Sequence, residues 1–210
     1  MAMVITVAQQ KGGAGKTTLA ANLAVALAEA QRVALLDIDP QRSLARWHAL
    51  RKARPAQAAR ITFSEAAGWR LAGELDRLRR DHDVVLVDSP PQIDTDAKIA
   101  VRNADLVLVP VQPSPPDIWA AEGTLTIAAK ERKRATLVLN RAPAGSSRLR
   151  ESVQAEIVAR AMPLLKSALG DRTGYAVAFA EGLGITEALP RSAAADELRA
   201  LLSEIQGLGQ

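Results

Sequence analysis

The chain of 210 residues contains no cysteine and only two histidines. The absence of cysteine excludes disulfides, iron–sulfur clusters, thiolate zinc sites and cysteine nucleophiles. The shortage of histidine disfavours a histidine-rich metal site. Aromatic residues make up 3% of the chain, which argues against stacking of bases on aromatic side chains as a way of binding nucleic acid.

Long hydrophobic runs are also lacking. The most apolar stretches, such as residues 19–28, are shorter than the roughly 20 residues of a membrane-spanning helix. No basic residue and no long apolar stretch precedes Lys11, so we expect no signal peptide. Residues 201–210 contain no Lys or Arg, which disfavours a basic amphipathic membrane anchor. These absences predict a cytoplasmic protein with no membrane partner.

The composition is that of an ordinary globular protein, with 48% hydrophobic and 24% charged residues. The length predicts a single domain over residues 1–210. Short aliphatic runs predict strands at 4–8, 33–36, 84–87, 106–111, 135–139 and 175–179. The longer segments between them predict helices at 17–30, 43–53, 69–80, 96–103, 117–130, 148–161 and 192–205. This alternation is typical of an α/β fold with a doubly wound, mostly parallel sheet and helices on both faces.

A glycine-rich segment lies between the first predicted strand and the first predicted helix. Glycines let backbone N–H groups approach phosphate oxygens, and the positive end of the following helix faces the same anion. Lys16 adds charge for the β- and γ-phosphates, and the Thr17 hydroxyl can ligate Mg²⁺. The predicted nucleotide-binding residues of this loop are Lys11, Gly12, Gly13, Ala14, Gly15, Lys16, Thr17 and Thr18.

Two acidic sites follow predicted strands, at the edge where ligands bind in open parallel sheets. Asp37 and Asp39 come after the second strand and Asp88 after the third. An apolar strand ending in aspartate is how P-loop enzymes hold Mg²⁺ through its waters, so Asp88 is the Walker B candidate. Asp39 suits the orientation of an attacking water. A lone aspartate after a strand is usually a cap or turn residue, but two such sites downstream of a phosphate loop favour the catalytic interpretation.

Together these motifs resemble those of the ParA/MinD ATPases, P-loop NTPase-like proteins with a deviant Walker A loop. The resemblance rests on residues 11–18, 37–41, 88–91 and 109–115, and it extends through the tail at 182–198. It therefore covers nearly the whole chain. It implies a slow, partner-stimulated ATP hydrolase with ATP and Mg²⁺ as cofactors.

The resemblance also implies a role for each site residue. Lys16 would bind phosphate in its own subunit, and Lys11 would reach across an ATP-bound homodimer to the partner's ATP. Asp39 would position the water, so the implied catalytic residues are Lys11, Lys16 and Asp39. Thr17, Asp37 and Asp88 would form the metal site. Asn140 and Arg141, at the end of a predicted strand, would bind nucleotide, and Asn140 resembles the residue that reads adenine; turn chemistry is the alternative interpretation.

Features that the sequence lacks narrow the choice among the branches of this superfamily. The lack of cysteine excludes the iron–sulfur branches. Ser43, Leu44 and Trp47, with the short length, resemble the small ParA-type partition ATPases. These imply an ATP-dependent homodimer that binds DNA nonspecifically on the nucleoid, and a ParB-like or other stimulating adaptor protein. The cargo would be a plasmid, a chromosome locus or a protein cluster. The alternative is a MinD-like or gradient-forming spatial regulator of division or assembly that acts by direct protein inhibition.

The formal net charge of +4 conceals two strongly basic segments, residues 42–80 and 132–172. Nonspecific DNA binding needs only phosphate contacts from Lys and Arg. We take the second segment as the candidate DNA surface, although a basic run is more often only a solvated face. The predicted contact residues are Arg148, Arg150, Arg160, Lys166 and Arg172.

Overall fold

The computed structural model describes residues 2–58, 60–92, 95–143 and 148–208, without the side chains of residues 149 and 150. The strands in these ranges are β1 (Met3–Val7), β2 (Val33–Asp37), β3 (Ile61–Glu65), β4 (Val84–Asp88), β5 (Leu106–Val111), β6 (Arg134–Ala142) and β7 (Leu164–Gly170). The helices are α1 (Lys16–Leu27), α2 (Ser43–Arg51), α3 (Pro55–Ala58), α4 (Arg70–Asp81), α5 (Thr95–Asn103), α6 (Pro115–Lys130), α7 (Arg148–Ala159), α8 (Thr173–Ala180), α9 (Ile185–Ala188) and α10 (Ala193–Leu208).

The seven strands form one sheet in the order β3-β2-β4-β1-β5-β6-β7. Every neighbouring pair is parallel. The strand order reverses direction beside β1, since β2 and β4 lie on one side of it and β5 on the other. The predicted doubly wound α/β fold is therefore confirmed, and the reversal marks the crevice where such sheets bind ligands.

Hydrophobic side chains cover both faces of this sheet. Alternate residues of a strand point to opposite faces, and Leu35 accordingly belongs to the core cluster that includes α1 and α10, whereas Leu36 belongs to the cluster that includes α4. A further cluster packs β5 and β6 against α6 and α7. Burial on both faces explains why the central strands are continuous apolar runs.

The predicted strand at 175–179 is wrong, because these residues belong to α8. Tyr175 and Phe179 are four residues apart and pack against the same core cluster, as helical spacing requires. Val177 lies between them and is 57% exposed. The alternation of alanine with larger apolar residues imitates the two-residue period of a strand, but alanine is the strongest helix former.

The two edge strands β3 and β7 were not predicted. Each mixes buried and solvent-facing residues, with polar Thr62 and Ser64 in β3 and Lys166 and Ser167 in β7. An edge strand is exposed along one side, and polar residues there limit pairing with other chains. Such strands therefore lack the continuous apolar pattern by which the central strands were recognised.

Because all the strands are parallel, their carboxyl ends lie at one edge of the sheet. The loops that follow β1, β2, β4, β5 and β6 all begin at this edge. The sequence motifs of interest are therefore brought together there. Within the described ranges, every helix is too short or too polar to cross a membrane.

Candidate functional site

The phosphate loop connects the end of β1 to the start of α1 and depends on glycine at two positions. Gly13 and Gly15 have φ angles of 79° and 90°, a region that other residues rarely adopt. At Gly15 the restriction is also steric, because a Cβ there would lie 2.4 Å from Nδ2 of Asn140. Any other residue at these two positions would strain the backbone, and the loop is therefore a cradle formed by main-chain atoms.

Lys16 begins α1 and lies inside this cradle with 6% of its surface exposed. Its Nζ is 3.4 Å from the carbonyl oxygen of Lys11. Burial lowers the pKa of Lys16, while the charges of Asp88 and Asp39 oppose that shift. A buried ammonium group at a helix N-terminus is unfavourable on its own, and the phosphates of a nucleotide would offset both the charge and the helix dipole.

Asp88, the last residue of β4, is fully buried, and neither carboxylate oxygen has a hydrogen-bond partner among the described residues. Burial raises its pKa to about 8, and the negative charges of Asp37 and Asp39 add to the shift, while the Thr17 hydroxyl and the Lys16 charge oppose it. The Thr17 hydroxyl is close enough to act on the carboxyl group but does not meet full hydrogen-bond geometry. A buried carboxyl group without partners is costly in free energy. A hydrated Mg²⁺ held between Thr17 and Asp88 would supply the missing partners, so these residues fit the metal.

Asp37 and Asp39 follow the end of β2. Asp37 accepts backbone hydrogen bonds at both oxygens, from Asp39 at 3.0 Å and from Ala45 in the first turn of α2 at 3.0 Å. Burial raises the pKa of Asp37, and these two hydrogen bonds partly counter the shift. Asp37 thus ties β2 to α2 in the present structure, and its place in the metal shell stays a prediction. Asp39 accepts one bond, from the Gln41 backbone at 2.9 Å, through Oδ1.

Two adjoining cavities lie over the carboxyl edge of the sheet. The smaller, about 300 Å³, is lined by the P-loop together with Asp39, Gln41 and Arg141. The larger, about 490 Å³, is lined by Asn140, Tyr175 and other residues of the β6, β7 and α8 region. Gly15, Thr18, Arg141 and Phe179 line both cavities. The pair therefore has the form of a phosphate site continuous with a site for a nucleoside.

Within the described ranges, no group of three or more His, Asp or Glu side chains could hold a metal ion by itself. In nucleotide sites Mg²⁺ is held by one or two protein groups beside phosphates and waters, so such a group of residues is not required there.

Lys11 makes its ion pair inside its own chain, with Nζ 2.5 Å from Oδ2 of Asp117. Asp117 is buried at the start of α6 and also accepts hydrogen bonds from the Ser114 hydroxyl at 2.5 Å and the Gln112 backbone at 3.3 Å. Sequence reasoning missed Asp117 and Gln112, although both lie in or near the 109–115 motif. The role of Lys11 on a partner's nucleotide stays a prediction that requires it to leave Asp117.

Asn140 lies against the P-loop. Its Nδ2 donates to the carbonyl oxygen of Ala14 at 2.8 Å, and its Oδ1 accepts from the Arg141 backbone at 3.0 Å. Arg141 has a left-handed backbone, with φ of 52°, and borders both cavities. The structure thus supports the turn interpretation of this pair as well as its place in the site. The reading of adenine by Asn140 stays a prediction.

The predicted DNA residues lie on α7, on β7 and in the segments that follow these two elements. Arg148 lies at the start of α7 and is exposed, while Arg160 follows the end of that helix and pairs with Glu122 and Glu156. Lys166 is exposed on β7. Arg172 pairs with Glu197 and lines the larger cavity. The side chain of Arg150 lies outside the described part of the chain. Ion pairing reduces the positive charge that this set offers to phosphates.

Comparison with known proteins gives a family and two related folds. Residues 5–185 match the family described as the CobQ/CobB/MinD/ParA nucleotide binding domain. "Maintenance of carboxysome distribution protein A" from Halothiobacillus neapolitanus is 32% identical over 97% of this chain and 96% of its own length.

Solved structures share the fold. An aspartate-to-alanine variant of McdA from Cyanothece, in complex with ATP, superposes with a TM-score of 0.80 at 19% identity, over 99% of this chain and 96% of that one. The septum site-determining protein MinD from Pyrococcus horikoshii, complexed with Mg-ADP, superposes with a TM-score of 0.79 at 21% identity, over 100% and 98%. Given the family match and the P-loop geometry, the chain belongs to the ParA/MinD superfamily of deviant Walker A ATPases.

Proposed function

We propose that this chain is a ParA-like positioning ATPase, folded as a single domain over residues 1–210. ATP and Mg²⁺ close a homodimer that binds DNA nonspecifically on the nucleoid, and an adaptor protein stimulates hydrolysis and release. The observation that carries the nucleotide chemistry is the unpartnered, buried carboxyl group of Asp88 beside the P-loop. Such a carboxyl group lowers the stability of the fold, so its presence is explained by ligand binding and not by folding.

The site residues divide the proposed hydrolysis between them. The P-loop N–H groups and Lys16 bind the phosphates, and Thr17 and Asp88 hold the metal. Mg²⁺ neutralises the charge that develops on the phosphate oxygens. Asp39 orients the attacking water from the wall of the phosphate cavity. Lys11 leaves Asp117 and supplies positive charge to the nucleotide of the second subunit.

The cargo we favour is a protein assembly rather than a plasmid or chromosome locus. Support comes from the similarity over nearly the full length to a protein named for the maintenance of carboxysome distribution. Similarity to relatives named Protein ParA and Chromosome partitioning protein ParA covers less of this chain and is lower in identity. The adaptor would then bind the protein assembly instead of a centromere-like DNA site.

The first test is a DNA mobility-shift titration with ATP, with ADP and without nucleotide, at several salt concentrations. We expect binding with ATP alone, and a loss of affinity with rising salt because each phosphate contact releases a counterion. Asp39→Ala should bind ATP and keep the DNA complex, whereas Lys16→Ala should bind neither. Absence of DNA binding at every salt concentration would refute the proposal and favour a regulator that acts by direct protein inhibition.

A second measurement addresses Asp39 alone. Its substitution by alanine removes the carboxylate that orients water, so ATP hydrolysis should fall by about two orders of magnitude or more while nucleotide affinity is kept. Asp76→Ala, on the exposed face of α4, is the matched control and should hydrolyse ATP normally. Normal hydrolysis by Asp39→Ala would show that the assigned role is wrong.

A further inference from the structure

Two side-chain amides donate hydrogen bonds to the carbonyl groups of consecutive P-loop residues. Nε2 of Gln112, just after β5, lies 2.8 Å from the carbonyl oxygen of Gly13. Nδ2 of Asn140, in β6, lies 2.8 Å from the carbonyl oxygen of Ala14. One donor follows β5 and the other lies in β6, but they act on adjacent peptide groups.

Because the peptide bond is planar, a hydrogen bond that fixes a carbonyl group also fixes the direction of the next N–H group. In a trans peptide the C=O and the following N–H point in opposite directions, and the described residues contain no cis peptide. Holding the Gly13 carbonyl towards Gln112 therefore directs the Ala14 N–H the other way. Holding the Ala14 carbonyl towards Asn140 does the same for the Gly15 N–H. These N–H groups belong to the set that cradles phosphates in a P-loop.

The buried Ala14 side chain anchors one residue of the loop, but the two glycines before it have no such anchor. Gly12 and Gly13 have open space where a Cβ would be, so no side chain of their own packs there. Glycine also passes easily between left-handed and right-handed backbone conformations. Without an external restraint, the loop would lose conformational freedom only when phosphate binds, and that loss would reduce affinity.

Further bonds anchor the backbone of Gln112 and the side chain of Asn140. The Gln112 backbone N–H donates to Oδ1 of buried Asp117, and Oδ1 of Asn140 accepts from Arg141. Nδ2 of Asn140 approaches Gly15 so closely that any side chain there would collide with it. The restraint is thus supported by residues on both sides of the loop.

We infer that Gln112 and Asn140 are positioning residues that preorganise the P-loop by holding the Gly13 and Ala14 carbonyls away from the phosphate. This inference rests on the proposed function only in requiring that the loop bind the phosphates of a nucleotide. The pair acts on phosphate recognition whatever base is attached. It therefore gives Asn140 a role separate from the predicted reading of adenine.

The test uses Gln112→Met and Asn140→Leu, which keep side-chain size but remove the amide donor. Affinities of the full chain for ATP and for inorganic tripolyphosphate, each with Mg²⁺, are measured by calorimetry or by competition against a fluorescent nucleotide. Each variant should bind both ligands about threefold to tenfold more weakly, as expected for loss of one hydrogen bond. The two ligands should be affected by the same factor.

If Asn140 instead reads the base, Asn140→Leu will weaken ATP and leave tripolyphosphate unchanged, which would overturn its part of the inference. Unchanged ATP and tripolyphosphate affinities in folded Gln112→Met would overturn the other part. The KM for ATP should rise with kcat nearly unchanged, because the restraint stabilises bound phosphate equally before and during reaction. Thermal unfolding without ligand identifies any variant that fails to fold, in which case the other variant decides.

A matched control is Asn103→Leu. Asn103 makes the same kind of bond, from Nδ2 to the Ile99 carbonyl at 2.9 Å, at the end of α5 and away from the P-loop. It should bind both ligands like the unmodified chain. ATP binding by the unmodified chain, with Lys16→Ala as the variant that should not bind, tests the proposed function separately from this inference. If the unmodified chain binds no ATP, the proposed function and the inference both fail. If it binds ATP and the two amide variants bind it equally well, only the inference fails.

Discussion

Two fully buried ionisable side chains, in two regions of the molecule, have opposite surroundings. Arg51, at the end of α2, donates to both oxygens of Glu187 at 2.8 Å, to the Gly182 carbonyl and to the Gln57 carbonyl. Asp88, at the end of β4, has no hydrogen-bond partner among the described residues. A buried ionisable group with all its hydrogen bonds made inside the protein stabilises the fold. One without hydrogen-bond partners indicates a ligand-binding site.

The region around Arg51 is built to join distant parts of the chain. The guanidinium lies 5.3 Å from the centre of the Trp47 ring, and the Trp47 indole donates to the Leu183 carbonyl at 3.3 Å. A Cβ at Gly182 would lie 2.4 Å from the Arg51 backbone nitrogen, so the two segments touch backbone to backbone. This junction fastens α2, which follows the Asp37 and Asp39 loop, to the segment between α8 and α9.

The largest effect should come from breaking the satisfied charge. Arg51→Ala removes the cation that pairs with Glu187 and the side-chain donor to the Gly182 carbonyl, and it opens a cavity, so the free energy of unfolding should fall by about 3 to 5 kcal/mol. Chemical denaturation with a two-state fit measures it. Arg51→Met combined with Glu187→Met should recover a large part of the loss, because no charge is then stranded. A loss below about 1 kcal/mol would contradict the assigned structural role.

The opposite sign is expected for Asp88. At pH 7 this group must take up a proton to stay buried, whereas asparagine is uncharged at every pH, so Asp88→Asn should make the ligand-free protein more stable by about 1 to 3 kcal/mol. ATP hydrolysis in the presence of Mg²⁺ should be lost in the same variant. Denaturation is measured in EDTA, with the exposed Asp76→Asn as control. A variant less stable than the unmodified chain would show that Asp88 supports the fold.

The fold and most of the candidate site could be predicted from the sequence because their signals are local. The P-loop glycines adjoin the strand and helix they connect, and Asp88 ends a continuous apolar run. The Arg51 junction could not be predicted, because its partner Glu187 is 136 residues away. Sequence neighbours do not distinguish Arg51 from other arginines of a polar helix. The same reason applies to Asp117, which is 106 residues away from its partner Lys11 in the sequence.

The pH dependence of the Asp88 effect gives a smaller and sharper test. The folded-state pKa of Asp88 is raised to about 8 by burial, above its value of about 4 in an unfolded chain. The folded state therefore binds the proton more tightly, and the stability that protonation supplies is lost as pH rises from about 4 to about 8. The stability advantage of Asp88→Asn should grow over this window and level off above it. A stability advantage that does not change with pH would mean that Asp88 has the same pKa in the folded and unfolded states.

The smallest effect should come from a charge pair that is satisfied but exposed. Arg32 binds both oxygens of Asp83, and the pair holds the pKa of Asp83 down to about 2. Because water and salt screen exposed charges, Arg32→Ala should change stability far less than Arg51→Ala, despite similar bond lengths. A depressed pKa adds stability only above the unfolded value near 4, and this stability is lost as pH falls towards 2. The difference between Arg32→Ala and the unmodified chain should therefore vanish over that range and shrink in high salt. If Arg32→Ala were as damaging as Arg51→Ala, hydrogen-bond geometry rather than burial would determine the strength of these pairs, and the contrast between Arg51 and Asp88 would lose its physical basis.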